Sequence, residues 1–591
     1  MNPPIITPLG VCVIPEAASN VGRTVTYPGY VHEILSHAGV CYQIVRLEDL
    51  PEALPGLAML LTVGEAGLTD DTVGAIRAWV EAGGAWISVA GTLGLAETLG
   101  VEVEQPALSE WRGGGVATLG EGYLKAEDAS HPMMGCVAIP LHYFNGLAVR
   151  ATAGKAIASC VDSHQRPTER AAVVERQVGR GRTLLICPDI AGTVVHIQQG
   201  TAVTRDGVSA PDGGGSVCDG VLKTDDGQVL DWTFDREPVP GVPGFDAFLQ
   251  PIADQWRELL LRGIFHLANK SKIALPMLWL YPRNLPALAH LSHDSDGNDP
   301  HCAHRMIEVL DETEIRSTWC VMAPGYPAET VDAIRGHGHE LALHFDAYSE
   351  GIVWSEEEFD RQWREITNLF GGERITSNKN HFLRWEGDTE FFGWLARRGI
   401  QFDANKGASK TGEAGFNFGF CHPYFPVDAD GQMLDVLEIS TISQDLGRFA
   451  PIELGEPLLQ ACLKVNGIMH MVFHPAHIVK PGVAETLSDL IARAKSVGME
   501  WWTGRQINSW ERARRTATWS DYAQTSDGAR VTLTLKEDLT DITVMWLTSD
   551  DAQVTVNGVE EETSTITRWG FSFRSVVFDI GRERESVLVI K

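Results

Sequence analysis

Residues 290–299 read His-Leu-Ser-His-Asp-Ser-Asp-Gly-Asn-Asp, and an apolar approach over 286–291 delivers two of their carboxylates, Asp294 and Asp296, to a Gly-containing loop. In a strand, residues two apart face the same way, so both carboxylates enter one cavity if the strand persists through them. Such a pair serves a divalent cation and a general base. Taken alone, the stretch reads as a surface turn, because Asp, Ser, Gly and Asn form turns for local reasons. What turns it into chemistry is the supply of partners elsewhere. A strand at 340–344 runs into His344-Phe-Asp-Ala-Tyr-Ser349, and another at 467–473 runs into His474-Pro-Ala-His477. Carboxylate and imidazole together are donors that zinc and neighbouring divalent metals accept. One His after a strand reads as an ordinary core or surface residue; several at the strand ends of one sheet read as a site.

The elements that must position these residues begin near 287, where strands and helices alternate. Asp299 followed by Pro300 starts a helix that leads to a strand at 317–321, a helix at 329–335 and the strand at 340–344. Ser355 with Glu358 forms a capping box for a helix whose Phe359, Trp363, Ile366 and Phe370 share one face. Further units follow at 391–398, 467–473, 484–496 and 499–503. This repeat predicts a (β/α) barrel, complete or lacking one strand, with its site at the carboxyl ends of the strands.

Ahead of the barrel, strands at 11–15, 41–45, 58–62 and 85–89 alternate with helices at 30–37 and 70–81, the pattern of a parallel sheet covered by helices. A hairpin joins 171–174 to 183–186 across Gly179-Arg-Gly-Arg182. Residues 201–246, with Asp212-Gly-Gly-Gly-Ser216, have the composition of a long loop or flap; a helix at 248–267 closes the region. Beyond about 516 the pattern becomes strand-like, at 529–536, 542–547, 553–556, 565–572 and 586–590, with turns at Asp527-Gly528 and Asn557-Gly558. The expected domains are therefore an α/β domain over 1–268, the barrel over 269–515 and a β-sandwich over 516–591. Trp546 and Trp569 in the last read as packing aromatics ahead of a carbohydrate platform.

The whole chain fits an enzyme of this kind. Its 591 residues are 44% hydrophobic and 21% charged, a globular mixture. Forty-eight Lys and Arg against 78 Asp and Glu leave a net charge of −30, which repels nucleic acid and anionic membranes. There is no basic-then-apolar leader and no apolar run long enough for a bilayer, so a cytoplasmic setting is expected. Ten cysteines without a Cys-x-x-Cys pair argue for reduced thiols rather than a disulfide framework or a zinc knot.

With these motifs in place, 287–510 resembles the polysaccharide deacetylase (NodB homology) family. The matching segments are His293-Asp-Ser-Asp-Gly297, Gly338-His-Glu-Leu-Ala-Leu-His344, Arg384-Trp-Glu-Gly387 with Phe391-Phe-Gly-Trp-Leu-Ala-Arg-Arg-Gly399, and Met471-Val-Phe-His-Pro475. The resemblance implies Asp294 as the general base, Asp296 and His344 as metal ligands, His474 as the acid that protonates the departing amine, and Arg384 as the residue that orients Asp294 through a charge-assisted contact. It implies a divalent metal, zinc first, and removal of an N-acetyl or other small acyl group from an amino sugar, oligosaccharide or glycoconjugate. Two positions depart from the family pattern. Tyr348 stands where a second metal His is expected, which leaves Asp346, His381, His422 and His477 as unranked candidates for the third ligand. Trp385 replaces a Pro after Arg384.

The first 260 or so residues resemble the class I glutamine amidotransferase-like fold, through their strand and helix order, Gly179-Arg-Gly-Arg-Thr-Leu-Leu-Ile-Cys-Pro-Asp189 and Ile197-Gln-Gln-Gly200. Ala90-Gly91-Thr92 occupies the turn where that fold carries its nucleophilic Cys, so a structural, oligomerising or substrate-framing role is expected. The expected partners are a small-molecule or oligosaccharide substrate and further copies of the chain, with neither nucleic acid nor membrane. Two other functions stay open: hydrolysis of a non-sugar C–N bond on the same barrel, and a non-catalytic carbohydrate-binding or scaffolding protein.

Overall fold

A computed structural model describes residues 6–15, 23–105, 116–207, 220–409, 411–548 and 552–591. The Gly-rich run 212–216 and Cys218 lie outside the described residues. The chain divides into two compact units, one built from 1–194, 255–284 and 512–591, the other from 195–254 and 285–511. None of the helices among the described residues is long and apolar enough to cross a membrane, and the nine described cysteines are free and buried.

In the first unit a nine-stranded sheet runs in the order Gln43–Ile44, Thr7–Val13, Leu57–Val63, Ala85–Val89, Gly181–Ile186, Pro167–Val178, Lys155–Asp162, Gly122–Ala126, Leu141–Tyr143. The first five strands are mutually parallel, and the expected hairpin across Gly179–Arg182 begins the antiparallel half. The C-terminal strands do not form a separate domain. Leu539–Leu547 pairs with Pro276–Leu278 in one sheet, because the strand at 276–278 supplies the backbone partners that an edge strand would otherwise lack. Trp546 and Trp569 are buried, with Trp569 stacked on Phe265 at 5.4 Å and tilted against Trp279 at 5.7 Å; both are packing residues.

The second unit carries the parallel sheet. Its strands are β1 (Leu288–Asp294), β2 (Thr318–Met322), β3 (Glu340–Phe345), β4 (Ser377–Asn380), β5 (Phe402–Asp403), β6 (Leu437–Glu438), β7 (Ser443–Gln444), β8 (Ile468–Val472) and β9 (Glu500–Trp501). They pair in the order β6-β5-β4-β3-β2-β1-β8-β7, with β9 alongside β1. The result is a parallel partial barrel in which the outermost strands, β6 and β7, do not pair with each other. Register brings His344 level with Met322 and Lys379 across three strands, and Asp294 level with Cys320. The carboxyl ends of β1, β3 and β4 therefore open on one side.

Local chemistry accounts for the covering helices. Asp299 caps α1 (Pro300–Glu312), accepting the N–H groups of His301 at 2.8 Å and Cys302 at 3.2 Å. Ser355 caps α2 (Glu356–Leu369) by accepting Glu358 N–H at 3.2 Å, but the box is only half made. The Glu358 carboxylate turns instead to Arg361 and to Gln362 Nε2, each at 2.7 Å. Gln362 in turn clamps the backbone of Asp346, giving Nε2 to its carbonyl at 2.7 Å and accepting its N–H at 2.9 Å. A solvent-facing cap contact has been exchanged for one that fixes the loop after β3. Below it, Phe359 packs edge-on against Phe345 and Phe391, which stack on each other within the core.

Residues 195–254, expected with the first domain, belong to the barrel unit. Val203 and Gly387 exchange backbone hydrogen bonds at 2.8 and 2.9 Å, Thr224 Oγ1 donates to Asn405 O at 2.7 Å, and Gln199 and Val427 hold each other by two bonds. The described parts of this segment are tied to the barrel by these bonds, which pair backbone groups that burial would otherwise leave without partners.

Candidate metal centre

Strand β1 ends at Asp294, and Asp296 sits in the following turn with φ at 28°. The pair reaches one cavity through a tight turn rather than through strand alternation. That turn is pinned at both sides: Ser295 Oγ donates to Asn298 Oδ1 at 2.7 Å and accepts Met322 N–H at 3.0 Å, while Asn298 Nδ2 donates to Met322 O at 3.0 Å. Asp tolerates the left-handed region better than most residues.

His344, at the end of β3, is fully buried. Its Nδ1 donates to Lys379 O at 2.9 Å, which leaves Nε2 to face Asp296 Oδ1 at 3.3 Å. The second imidazole is His381, in the turn after β4, with Nε2 3.8 Å from the same Asp296 oxygen. Two left-handed residues, Phe382 and Leu383 at 59° and 52°, swing that turn back toward the cavity. Asp346 holds the other side of the ring, 3.1 Å from His381 Nδ1, and accepts the N–H groups of Tyr348 and Ser349 at 2.9 and 3.2 Å. Burial opposes the charge on Asp346, yet these contacts hold its carboxyl well below the usual range. Asp346 thus holds the His381 ring from its Nδ1 side. Tyr348 is 46% exposed and lies on the Phe382 ring, while His422 Nε2 faces Val465 O at 2.9 Å, away from the cavity.

Spacing separates ligand sets from hydrogen bonds. Tetrahedral donors about 2.0–2.1 Å from a zinc ion lie roughly 3.3 Å apart. Asp296 Oδ1 lies 3.3 and 3.8 Å from the Nε2 atoms of His344 and His381, all three ligand atoms fall within 4.8 Å of one another, and Asp296 Oδ1 and His344 Nε2 are buried with no hydrogen-bond partner among the described residues. Unpaired buried donors of this kind require an explanation, and a cation supplies one. The residues present fit a divalent metal. The grouping of Asp445, His474 and His477 does not, because His474 Nδ1 and Asp445 Oδ2 are 2.5 Å apart, a hydrogen-bond distance.

That short contact organises the other half of the site. Asp445, fully buried after β7, accepts both the Nδ1 and the backbone N–H of His474, the latter at 2.9 Å, and lies 3.1 Å from His477 Nδ1. His474 Nε2 then faces Asp294 and Asp296 at 3.9 and 3.8 Å. Burial alone would lower the His474 pKa, but the three surrounding carboxylates outweigh it and raise it to about 9. Asp296 is driven the other way: burial opposes its charge, and the His344, His474 and His381 imidazoles hold it below the carboxylate range. A cavity of about 270 Å³ joins these groups, walled by Phe382, Leu383, Ala414 and Phe449 and floored by Asp294, Asp296, His381, His474 and His477.

Arg384 does not reach Asp294. Its guanidinium pairs with Glu386 and donates to Leu222 O at 3.1 Å; the cation beside Asp294 is Lys379, with Nζ 3.5 Å from Oδ2. The physical reason is local, since the left-handed turn that presents His381 carries the chain away before Arg384 begins. Sequence reasoning missed Lys379 and Asp445. Lys379 lies in Ser-Asn-Lys-Asn, a wholly polar strand that is nonetheless buried, so no apolar pattern marked it. Asp445 follows a two-residue strand and takes φ of 36°, and its signal was only an acid before Leu-Gly.

In the first unit, Ala90 follows its strand with φ at 51°, and the Glu65 carboxylate accepts the N–H groups of Thr92 and Leu93, each at 2.7 Å. No thiol stands at that turn, and its donors are already bound within the chain.

No family model and no curated protein matches this sequence. Solved structures with a similar fold include a protein assigned as a polysaccharide deacetylase, from Mycobacterium smegmatis, at 18% identity over 40% of this chain and 93% of that one, with a TM-score of 0.32. A second, from Bordetella bronchiseptica and assigned as a polysaccharide deacetylase of O-antigen biosynthesis, is 16% identical over 39% and 86% of the two chains, with a TM-score of 0.24. An allantoinase is 14% identical over 39% and 92%, with a TM-score of 0.31.

Proposed function

We propose that the barrel unit is a metal-dependent amidohydrolase that removes an N-acetyl or other small N-acyl group from an amino sugar, oligosaccharide or glycoconjugate. The observation that carries this reading is the meeting, in one cavity, of three donors at metal spacing, a separate carboxylate and a carboxylate-held imidazole. Asp296, His344 and His381 would hold the ion, and their N₂O donor set suits zinc. When bound, a divalent ion supplies Lewis acidity, polarising the acyl carbonyl and acidifying the attacking water.

The chain's own residues do the rest. Asp294 lines the cavity with its Oδ2 edge toward Lys379 and His474, while its Oδ1 is buried, so this carboxylate is the group that takes the proton from water. His474 keeps its Nδ1 proton on Asp445 and presents Nε2 to the cavity, where it gives a proton to the departing nitrogen. Phe449 lies against both His474 and His477 and gives that end of the cavity an apolar wall. The first unit is read as a non-catalytic, oligomerising frame, consistent with the Glu65-filled turn, and the buried free thiols suit a cytoplasmic setting.

The test is acyl release from a panel of N-acylated sugars and non-sugar amides by the zinc-loaded protein, with Asp294→Asn as control. Release from the sugars that the control abolishes is the expected result. Release only from non-sugar amides would move the assignment to another C–N bond, and no release from any member would leave a binding or scaffolding protein.

A further inference from the structure

We infer that Lys379 is a positioning residue that fixes the orientation of the Asp294 carboxylate in the cavity, taking the place the sequence assigned to Arg384. This rests on the reading of Asp294 as the proton acceptor. Lys379 is fully buried in β4. Its Nζ donates to Thr441 Oγ1 at 3.2 Å and lies 3.5 Å from Asp294 Oδ2. Thr441 spends its own hydroxyl proton on Ala404 O at 3.0 Å, so its oxygen offers only lone pairs to the ammonium. That fixes the direction of the Lys379 head.

A buried ammonium is costly unless paired, and among the described residues Asp294 is the carboxylate that pairs with it. The neighbouring imidazoles offer no competing charge. His470 is held between Ser440 O at 3.0 Å and Ser292 Oγ at 2.9 Å, and His290 bonds Trp502 O at 2.8 Å. Asp294 lines the cavity with Oδ2 toward Lys379 and His474, and its Oδ1 is buried without a hydrogen bond among the described residues, so the ammonium is the charged contact that holds the carboxylate's orientation. Without the ammonium, the carboxylate is free to turn about its Cβ–Cγ bond and offer either oxygen, or neither, to the water.

The same residue touches the metal ligands differently. His344 Nδ1 donates to the backbone carbonyl of Lys379, so replacing the side chain leaves that contact in place. Base positioning and metal affinity can therefore be separated by substitution at one position.

Lys379→Met keeps a similar side-chain length without the charge. The zinc-loaded variant is expected to lose about 100-fold or more in kcat, within the range for a displaced general base, with KM within about threefold of wild type and an unchanged zinc Kd. Thr441→Val, which removes the acceptor that aims the ammonium, should give the same signature at about tenfold, and it carries the test if Lys379→Met does not fold. Ethylammonium in the buffer should restore part of the kcat of a cavity-leaving Lys379→Ala and none of that of Asp294→Asn. A folded Lys379→Met with near wild-type kcat, or a zinc Kd that weakens in step with kcat, overturns the inference. Crystal structures of the zinc-loaded wild type and variant separate this from failure of the functional reading: if wild type hydrolyses no amide, that reading falls, while an Asp294 carboxylate unmoved in Lys379→Met refutes the positioning role on its own.

Discussion

Replacing His381 with Ala tests the proposed third ligand, for which the sequence left four candidates. Its Nε2 is 3.8 Å from Asp296 Oδ1, and no other imidazole among the described residues completes the set with His344. Four-ligand zinc sites bind with about 10–16 kcal/mol, which apportions about 3 kcal/mol to each ligand, or roughly a hundredfold in Kd. His381 is only partly buried, and its loss opens no large core cavity, so the fold should survive. The assay is zinc titration of the metal-free protein against a chromophoric chelator, with circular dichroism to confirm folding. His381→Ala should weaken zinc binding about 100-fold, and His344→Ala at least as much. His422→Ala and Tyr348→Phe should leave it within about threefold. If His381→Ala binds zinc like wild type while His344→Ala does not, the third ligand lies elsewhere and the spacing argument is wrong.

Other outcomes follow from the same geometry. Asp346→Asn weakens the hold on His381 Nδ1 and should cost about 10- to 100-fold in zinc affinity, the usual effect of a residue that orients a ligand; the same titration reads it. Arg384→Met should change kcat by less than about threefold, because its partners are Glu386 and Leu222 O, and a loss as large as that of Asp294→Asn would restore the sequence-based assignment. In the metal-free protein the His474 pKa lies above its unfolded value, raised from 6.5 to about 9. That stabilisation is complete below about pH 6.5 and is lost as pH rises through about 9, so the Tm of the metal-free protein should fall across this window. Asp445→Asn, a residue that accepts the left-handed backbone at 445, should flatten that fall; an unchanged profile would show that Asp445 does not set the His474 charge.

The barrel was legible because its strands and helices announce themselves by period, and the strand ends at Asp294, His344 and His474 fall where the alternation places them. The capped helix starts at Asp299 and Ser355 were legible for the same local reason. What the sequence hid were contacts set by backbone geometry. Asp296, His381 and Asp445 owe their aim to left-handed turns at or beside them, and Lys379 sits in a polar strand that no hydrophobic pattern detects. Several other histidines are buried for packing alone. His293 stands beside Asp294 in the motif, yet it is a core residue bonded to Phe473 O at 2.7 Å and Ser317 Oγ at 3.0 Å, with burial driving its pKa down to about 3. Motif position alone does not separate it from His344. The domain boundaries misled because the strand at 276–278 and the segment 195–254 each pack with chain distant in sequence.

The identity of the metal ligands is the feature of this site most directly open to measurement. X-ray absorption at the zinc edge of the reconstituted protein should report one carboxylate oxygen and two imidazole nitrogens at about 2.0–2.1 Å, with one imidazole lost in His381→Ala. A first shell containing sulfur, or a two-imidazole spectrum unchanged by His381→Ala, would contradict it.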